Sequence, residues 1–209
     1  LYPMPFRFLE NAKQFHKYEI IDVEVSREGA DSRPESHKVR QDTLTVGEAL
    51  DTKNNWKKRK EIVLPTLSNS MCEIQREEEQ TGKSLGAFKL KRPTKFYWKE
   101  VDVSQEDDEL QSIQLVLFDN QKKELEKLPY SFHYEYSCDN EPNCLGHNQI
   151  ILDWEIAEAF RAWRIDYGSD QAALEKIREK WLDELFADDK DSCVFVGNHH
   201  RFRKSFMVL

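Results

Sequence analysis

Three residues of types that commonly bind metals lie within ten positions of one loop. Cys138 and Cys144 are separated by five residues, and His147 follows after two more. Zinc in proteins is bound tetrahedrally by thiolates and imidazoles, and short loops often provide two or three of the four ligands. The pattern therefore indicates a Zn²⁺ site, although the five-residue gap is wider than in most zinc motifs.

A fourth ligand must come from elsewhere in the chain. We expect Cys193 in this position, with Cys72, His133 and His199 as alternatives. A fourth protein ligand makes a zinc site structural, whereas a water molecule in that position makes the site suitable for catalysis. The competing interpretation is a polar surface loop with two free thiols and a histidine, in which no metal binds.

Two carboxylates that follow this loop suggest a second kind of chemistry. Asp153 and Glu155 lie close to His147 in the sequence, at the predicted start of a helix. Such carboxylates hold Mg²⁺ or Mn²⁺ in enzymes that cleave phosphodiester bonds. They are our catalytic candidates for a nuclease or phosphodiesterase, with Asp31 or Glu35 as additional participants. The simpler interpretation is that Asp153 caps the helix and Glu155 stabilises its first turn.

A basic and aromatic stretch between residues 89 and 99 is typical of surfaces that bind nucleic acids. Cations neutralise phosphates on such surfaces, and aromatic rings stack on bases. A second basic segment lies between residues 199 and 204. In the alternative interpretation the aromatic residues belong to the core and the lysines protect the edge of a sheet. The candidate nucleic-acid-binding residues are Lys89, Lys91, Arg92, Lys95, Tyr97, Lys99, Arg201 and Arg203.

Strands and helices must position these candidates. Alternation of apolar and polar residues predicts a strand at Tyr130–Cys138, and an apolar run predicts another at Gln149–Leu152. Apolar residues at helical spacing predict two helices, at Trp154–Tyr167 and Gln171–Ala187. We therefore expect an α+β fold with a mixed or mostly antiparallel sheet, barrel-like in its most closed form, and with the helical pair packed on it.

The length of the chain fits a single α+β domain over residues 1–209, with a subdivision into residues 1–103 and 104–209 as the alternative. Both ends of the sequence have the character of strands that are cut short, so we expect a fragment truncated at both ends. Ser70, with Glu73 three positions later, is typical of an N-cap and predicts a helix at Met71–Gln80.

The composition excludes some protein classes. Aromatic residues make up 11% of the chain, which argues against disorder despite a charged fraction of 33%. No apolar run approaches the length of a membrane-spanning helix. Four cysteines without dense spacing are typical of an intracellular chain with reduced thiols, so we expect a cytoplasmic location and no membrane partner.

The net charge of −8 is unevenly distributed. Residues 1–100 hold 19 lysine and arginine residues against 16 acidic residues, whereas residues 101–209 hold 12 against 23. This asymmetry allows a basic face on the first half, and with it our first hypothesis, a module with a zinc knuckle that binds DNA or RNA. The other two hypotheses are the metal-dependent nuclease and an adaptor that binds a protein partner through the acidic second half.

Several sequence segments together resemble a family of uncharacterised prokaryotic proteins. The resemblance covers nearly the whole chain and implies no activity, substrate or catalytic residue. It rests on the segments LYPMPFR, SRPES, KSLG, LPYSFHYEYSCDNEPNCLGH with the following ILDWE, and FVGNHH with SFMVL.

Overall fold

The computed structural model describes residues 9, 14–27, 29, 31, 33–101 and 128–209. The predicted strand ends at residues 1–6 therefore lie outside the described residues. The strands are β1 (Glu19–Asp22), β2 (Val25–Arg27), β3 (His37–Val39), β4 (Thr45–Ala49), β5 (Leu67–Ser68), β6 (Leu85–Lys89), β7 (Lys95–Glu100), β8 (Tyr130–Tyr136), β9 (His147–Ile151), β10 (Cys193–His199) and β11 (Phe202–Val208). The helices are α1 (Lys53–Val63), α2 (Met71–Thr81), α3 (Trp154–Asp166) and α4 (Asp170–Arg178), and α4 continues as a π-helical turn, Glu179–Glu184.

A seven-stranded mixed sheet, with the order β5-β6-β10-β11-β9-β8-β7, forms the centre of the fold. The pairs β6–β10, β10–β11, β9–β8 and β8–β7 are antiparallel. The pairs β5–β6 and β11–β9 are parallel. Two small antiparallel sheets, β1–β4 and β2–β3, precede it. The predicted α+β class with a mixed sheet is confirmed, but the sheet is open, with β5 and β7 at its edges, and is not a closed barrel.

The sheet is strongly curled. Strands β6 and β7 are five positions apart in the sheet, which corresponds to about 24 Å in a flat sheet, yet only residues 90–94 connect them. From Lys89 to Lys95 the chain can span at most about 20–22 Å. In addition, the rings of Phe88 in β6 and Tyr136 in β8 lie 5.7 Å apart between centroids. The sheet must therefore bend until strands near its two edges face each other.

One face of the sheet is buried against the predicted helical pair. In β8, alternate residues Phe132, Tyr134 and Tyr136 are almost fully buried in the main core, together with Phe160 of α3 and Ile177 of α4. The Tyr134 hydroxyl donates a hydrogen bond of 2.5 Å to the backbone oxygen of Trp181, so this buried polar group is satisfied. The alternation that predicts β8 therefore reflects true burial of one side of the strand.

The two ends of α2 are set by a serine cap and a glycine. Ser70 accepts a hydrogen bond from the backbone N–H of Glu73, so the predicted N-cap of α2 is confirmed. Gly82, with φ of +77°, ends this helix in the left-handed conformation that glycine adopts most readily. Within the described residues, every helix is too short or too polar to cross a membrane.

Candidate metal centre

Four potential metal ligands come together from three parts of the fold. Cys72 is the second residue of α2, Cys138 follows β8, Cys144 lies in the connecting loop, and His147 is the first residue of β9. Their ligand atoms all lie within 4.8 Å of one another. The cluster joins α2, which follows edge strand β5, to β8 and β9, which lie near the opposite edge of the curled sheet.

The geometry of this Cys₃His cluster matches tetrahedral coordination. The distances from His147 Nε2 to the sulfur atoms of Cys72, Cys138 and Cys144 are 3.3, 3.3 and 3.4 Å. A tetrahedral zinc ion with Zn–S bonds of about 2.3 Å and a Zn–N bond of about 2.0 Å requires S···N separations of about 3.5 Å. The four side chains could therefore hold one metal ion with little rearrangement.

Backbone N–H groups point at two of the sulfur atoms. The backbone N–H groups of Cys138 and Gly146 both donate to Cys144 Sγ at 3.4 Å. The backbone N–H groups of Met71 and Cys72, the first two residues of α2, also act on the Cys138 thiol and lower its pKa. A helix N-terminus stabilises negative charge, so these groups partly offset the effect of burial on Cys138.

Burial acts on the pKa of each ligand. It raises the pKa of Cys72 to about 12, helped by the neighbouring thiols of Cys144 and Cys138, and it raises the pKa of Cys138 despite the helix N–H groups. In Cys144 burial acts in the same direction, but the backbone N–H donors outweigh it and the pKa lies below its ordinary value. Burial lowers the pKa of His147, which favours the neutral ring that coordinates metals. A divalent cation would favour the thiolate forms, since it deprotonates coordinating thiols.

Glu141 holds the ligand-bearing loop against α2. Its carboxylate accepts a hydrogen bond of 2.8 Å from the Ser70 hydroxyl and a salt bridge of 2.6 Å from Arg76. The backbone N–H of Cys144 donates to the Glu141 carbonyl at 2.9 Å, which forms the turn before the second cysteine. Gly146 has φ of +90°, a conformation that a residue with a side chain rarely adopts. Residues 138–146 are therefore positioned by contacts outside the ligands themselves.

A cleft of about 500 Å³ lies beside the cluster. Its lining includes Leu67, Ser70, Cys138 and the segment Lys190–Ser192. Cys138 is the member of the Cys₃His cluster that borders the cleft.

The fourth member of the cluster corrects our expectation of Cys193. Among the described residues, the group of potential ligands contains Cys72 and does not contain Cys193, His133 or His199. Cys193 lies in β10 opposite Lys89 of β6, where its position is set by sheet pairing. Cys72 was named only as an alternative, because nothing in the local sequence links it to a loop that begins 66 positions later.

The catalytic candidates Asp153 and Glu155 have other partners. Asp153 is the N-cap of α3 and accepts a hydrogen bond of 2.9 Å from the backbone N–H of Glu155. Glu155 forms a salt bridge of 2.6 Å with Lys17. Neither belongs to a group of potential metal ligands in the described part of the chain. A catalytic role stays a prediction, and these contacts favour the simpler capping interpretation.

The additional candidates Asp31 and Glu35 also form specific contacts. Asp31 accepts hydrogen bonds from the Arg33 guanidinium and from the Ser36 hydroxyl, and Arg33 chiefly holds its pKa well below the ordinary range. Glu35 accepts hydrogen bonds from the backbone and the hydroxyl of Ser84 at 2.9–3.2 Å. Glu35 therefore attaches its segment to Ser84, whereas Asp31 is held by residues of its own segment.

The eight candidate nucleic-acid-binding residues differ in their ion pairing and exposure. Three of them form ion pairs, namely Lys89 with Asp191, Arg92 with Asp183 and Arg203 with the buried Glu78. Lys91 and Arg201 are exposed. The ion-paired residues are thereby less available to neutralise phosphates.

Lys95, Tyr97 and Lys99 do share one face of β7. The Tyr97 ring stacks on the ring of His133, its partner in β8, at 5.0 Å between centroids and an angle of 12°. The Lys95 and Lys99 ammonium groups lie 4.7 and 5.7 Å from the centre of the Tyr97 ring. We call this group, together with Asn148 of β9, the β7–β9 surface; the Asn148 amide donates to the Tyr97 hydroxyl at 2.8 Å.

His133 is uncharged on this surface at neutral pH. Burial, with a smaller contribution from Lys99, lowers the pKa of His133 to about 4. The Tyr97–His133 pair is therefore a neutral aromatic platform between two cations.

Two family models match different parts of the chain. A family model described as a domain of unknown function, DUF8757, matches residues 67–209, which contain the large sheet and all four members of the Cys₃His cluster. The chain belongs to the DUF8757 family. A second model, a domain of unknown function described as DUF8758, matches residues 1–65. The expected resemblance to an uncharacterised family is confirmed, whereas prokaryotic origin stays a prediction. Neither the curated proteins nor the solved structures include a match.

Proposed function

We propose that the Cys₃His cluster binds one Zn²⁺ ion as a structural site. Thiolate and imidazole ligands suit zinc, whereas Mg²⁺ and Ca²⁺ prefer oxygen ligands. Four protein ligands complete the tetrahedral coordination of a zinc ion and leave no position for a reacting water molecule. The observation that carries this proposal is the equal 3.3–3.4 Å spacing of three sulfur atoms around His147 Nε2.

In this proposal the ion fastens the curled sheet. Cys72 follows one edge strand, and the other three candidate ligands lie in or next to the β8–β9 loop, near the opposite edge. The edge strands β5 and β7 are not paired with each other, so their backbone hydrogen bonds do not hold the two edges of the bent sheet together. A metal ion would hold the two edges together instead. A reducing compartment such as the cytoplasm would keep the three thiols available, and we include a cytoplasmic location in the proposal.

The same proposal assigns to the fold a role in binding single-stranded nucleic acid through the β7–β9 surface. Bases would stack against the Tyr97–His133 pair, and the Lys95 and Lys99 ammonium groups, which now lie over the Tyr97 ring, would turn outward to neutralise the adjacent phosphates. Asn148 supplies an amide that can form hydrogen bonds with base edges. A single strand is favoured over a duplex because stacking on side chains requires unpaired bases.

The test is the fluorescence anisotropy of labelled oligo(dT) and oligo(U) across a range of salt concentrations. Tyr97→Ala should weaken binding by about 5- to 150-fold, because stacking of a base on an aromatic side chain contributes about 1–3 kcal/mol. Combined replacement of Lys95 and Lys99 by alanine should reduce the slope of log K against log salt by about 1.4, which corresponds to two phosphate contacts on a single strand.

The matched control replaces two lysines of α1, Lys53 and Lys57, which are also exposed. It removes the same charge at a different surface, so it should leave the salt slope nearly unchanged. Undetectable binding of both oligonucleotides at low salt would refute the nucleic-acid role. An equal loss in the Lys53/Lys57 control would show attraction to total charge instead of a site on β7–β9.

A further inference from the structure

The last residue of β10, just before the turn into β11, is a buried histidine whose hydrogen bonding is incomplete. His199 is 6% exposed, and its Nε2 atom has no hydrogen-bond partner in the described part of the chain. Leaving a buried polar atom without a partner costs about 1–3 kcal/mol. Such an atom therefore indicates either strain or a ligand that the described residues do not include.

The other ring nitrogen shows what kind of partner Nε2 needs. The backbone N–H of Arg201 donates to His199 Nδ1 at 3.4 Å, so Nδ1 acts as the acceptor. Burial and nearby cations lower the pKa of His199, which keeps the ring neutral. In a neutral imidazole the proton then lies on Nε2, which is therefore a hydrogen-bond donor without an acceptor among the described residues.

The surroundings of this donor are positively charged. The guanidinium groups of Arg33 and Arg201 both act electrostatically on His199 and lower its pKa, whereas Asp31 acts in the opposite direction. The Arg33 guanidinium donates to the carbonyl oxygen of Asn198 at 2.7 Å, which places it directly beside the turn. Asp31 is also near, but its carboxylate is engaged by Arg33 and Ser36. In the described residues, the exposed Arg201 guanidinium forms no ion pair.

We propose that residues 199–201, at the end of β10 and beside Arg33, bind a phosphate group. His199 Nε2–H and the Arg201 guanidinium are the donors, and Arg33 contributes positive charge. Phosphate fits this set because its several oxygens accept hydrogen bonds from donors in different directions, and because arginine binds phosphate with two parallel N–H groups.

The buried ring has one exposed neighbour. His200 is exposed, and its ring centroid lies 4.2 Å from that of His199. In our proposal, a change of the His200 side-chain rotamer gives phosphate access to His199. The site is independent of the metal centre and of the β7–β9 surface, since it shares no residue with either.

Titration with millimolar inorganic phosphate, followed by the side-chain NMR signals of the histidine rings and by calorimetry, tests the site. Phosphate should shift the His199 signals in a saturable way. Arg201→Ala should weaken phosphate binding by at least about tenfold, because it removes a charge-assisted contact. Lys204→Ala is the matched control, since Lys204 is an exposed cation three residues away with only a 3.9 Å contact to Glu79, and binding should change by less than about twofold.

Arg201→Ala reports only on charge, so His199→Gln provides a second variant that tests the histidine itself. Glutamine keeps an N–H donor at this position but replaces the imidazole ring. The variant should bind phosphate more weakly than the wild type and, if correctly folded, should retain the far-UV circular dichroism of the wild type. Unshifted His199 signals at saturating phosphate, or unchanged affinity in Arg201→Ala, would overturn the proposal.

The phosphate could belong to a small molecule or to the end of a nucleic acid. Adenosine monophosphate against adenosine tests the first source, and an oligonucleotide with a 5′-phosphate against one with a 5′-hydroxyl tests the second. In each pair only the phosphorylated member should shift His199 and respond to Arg201→Ala. Equal binding of both members of both pairs would contradict a phosphate site. Tyr97→Ala separates this site from the β7–β9 surface, because it should abolish binding through that surface and leave the His199 response to phosphate intact.

Discussion

Replacing Cys72 by serine removes the proposed ligand that would join α2 to the β8–β9 loop. A link between positions 72 and 138 closes a loop of about 67 residues, and the chain-entropy relation for cross-links gives about 4 kcal/mol for a loop of that length. In a chain of this size 1 kcal/mol corresponds to about 2–4 °C in Tm. We therefore expect Cys72→Ser to unfold about 8–16 °C below the wild type when both are prepared with zinc.

The assay is thermal unfolding followed by circular dichroism, together with elemental analysis of the purified proteins. The wild type should contain about one zinc ion per chain, and Cys72→Ser should contain much less after dialysis against a chelator, because structural zinc binding is coupled to folding. Cys193→Ser is the matched control. It makes the same substitution at a partly buried thiol outside the cluster, so its stability should change by no more than about 1 kcal/mol and its zinc content should stay constant.

Two results would refute this reasoning. A Cys72→Ser protein that retains one zinc ion per chain and unfolds with the Cys193→Ser control would show that Cys72 is not a ligand. A wild-type protein whose Tm is the same with and without a strong chelator would show that no metal fastens the sheet.

Two further predictions concern residues that position the site and the 31–36 loop. Glu141→Gln should lower zinc affinity by about tenfold, measured by competition with a chromophoric chelator, since the carboxylate that holds the loop to Ser70 and Arg76 is lost; an unchanged affinity would contradict a positioning role. Asp31→Asn should destabilise the protein by about 2 kcal/mol at pH 7, because it weakens a charged contact that is about 14% exposed. Arg33 chiefly holds the pKa of Asp31 below its ordinary value, so this stabilisation is complete above about pH 4 and is lost as the pH falls further. Denaturant unfolding should therefore show a difference between wild type and Asp31→Asn at pH 7 that narrows only under acidic conditions.

Local sequence patterns predicted the parts of the fold that depend on neighbouring residues. Alternation in residues 130–136 reflects burial of one face of β8, and Ser70 with Glu73 correctly indicated the start of α2. Cys138, Cys144 and His147 could be grouped from sequence because one loop carries all three. These signals operate within ten residues, where spacing alone determines which side chains can meet.

The remainder depends on how the sheet curls, which no local pattern records. Cys72 reaches the cluster only because the bend brings α2 against the end of β8, so sequence reasoning could not prefer it to Cys193. Ion pairs such as Arg203 with Glu78 likewise join residues that are far apart in the chain, and the basic residues therefore appeared more available than they are. The unpartnered His199 Nε2 is also a property of packing, and the sequence showed only that basic residues surround it.

X-ray absorption spectroscopy at the zinc edge of the purified protein tests the central claim most directly. We expect one zinc ion per chain with three sulfur neighbours at about 2.3 Å and one nitrogen neighbour at about 2.0 Å. Absence of zinc, or a first shell made only of oxygen and nitrogen, would contradict a structural Cys₃His site.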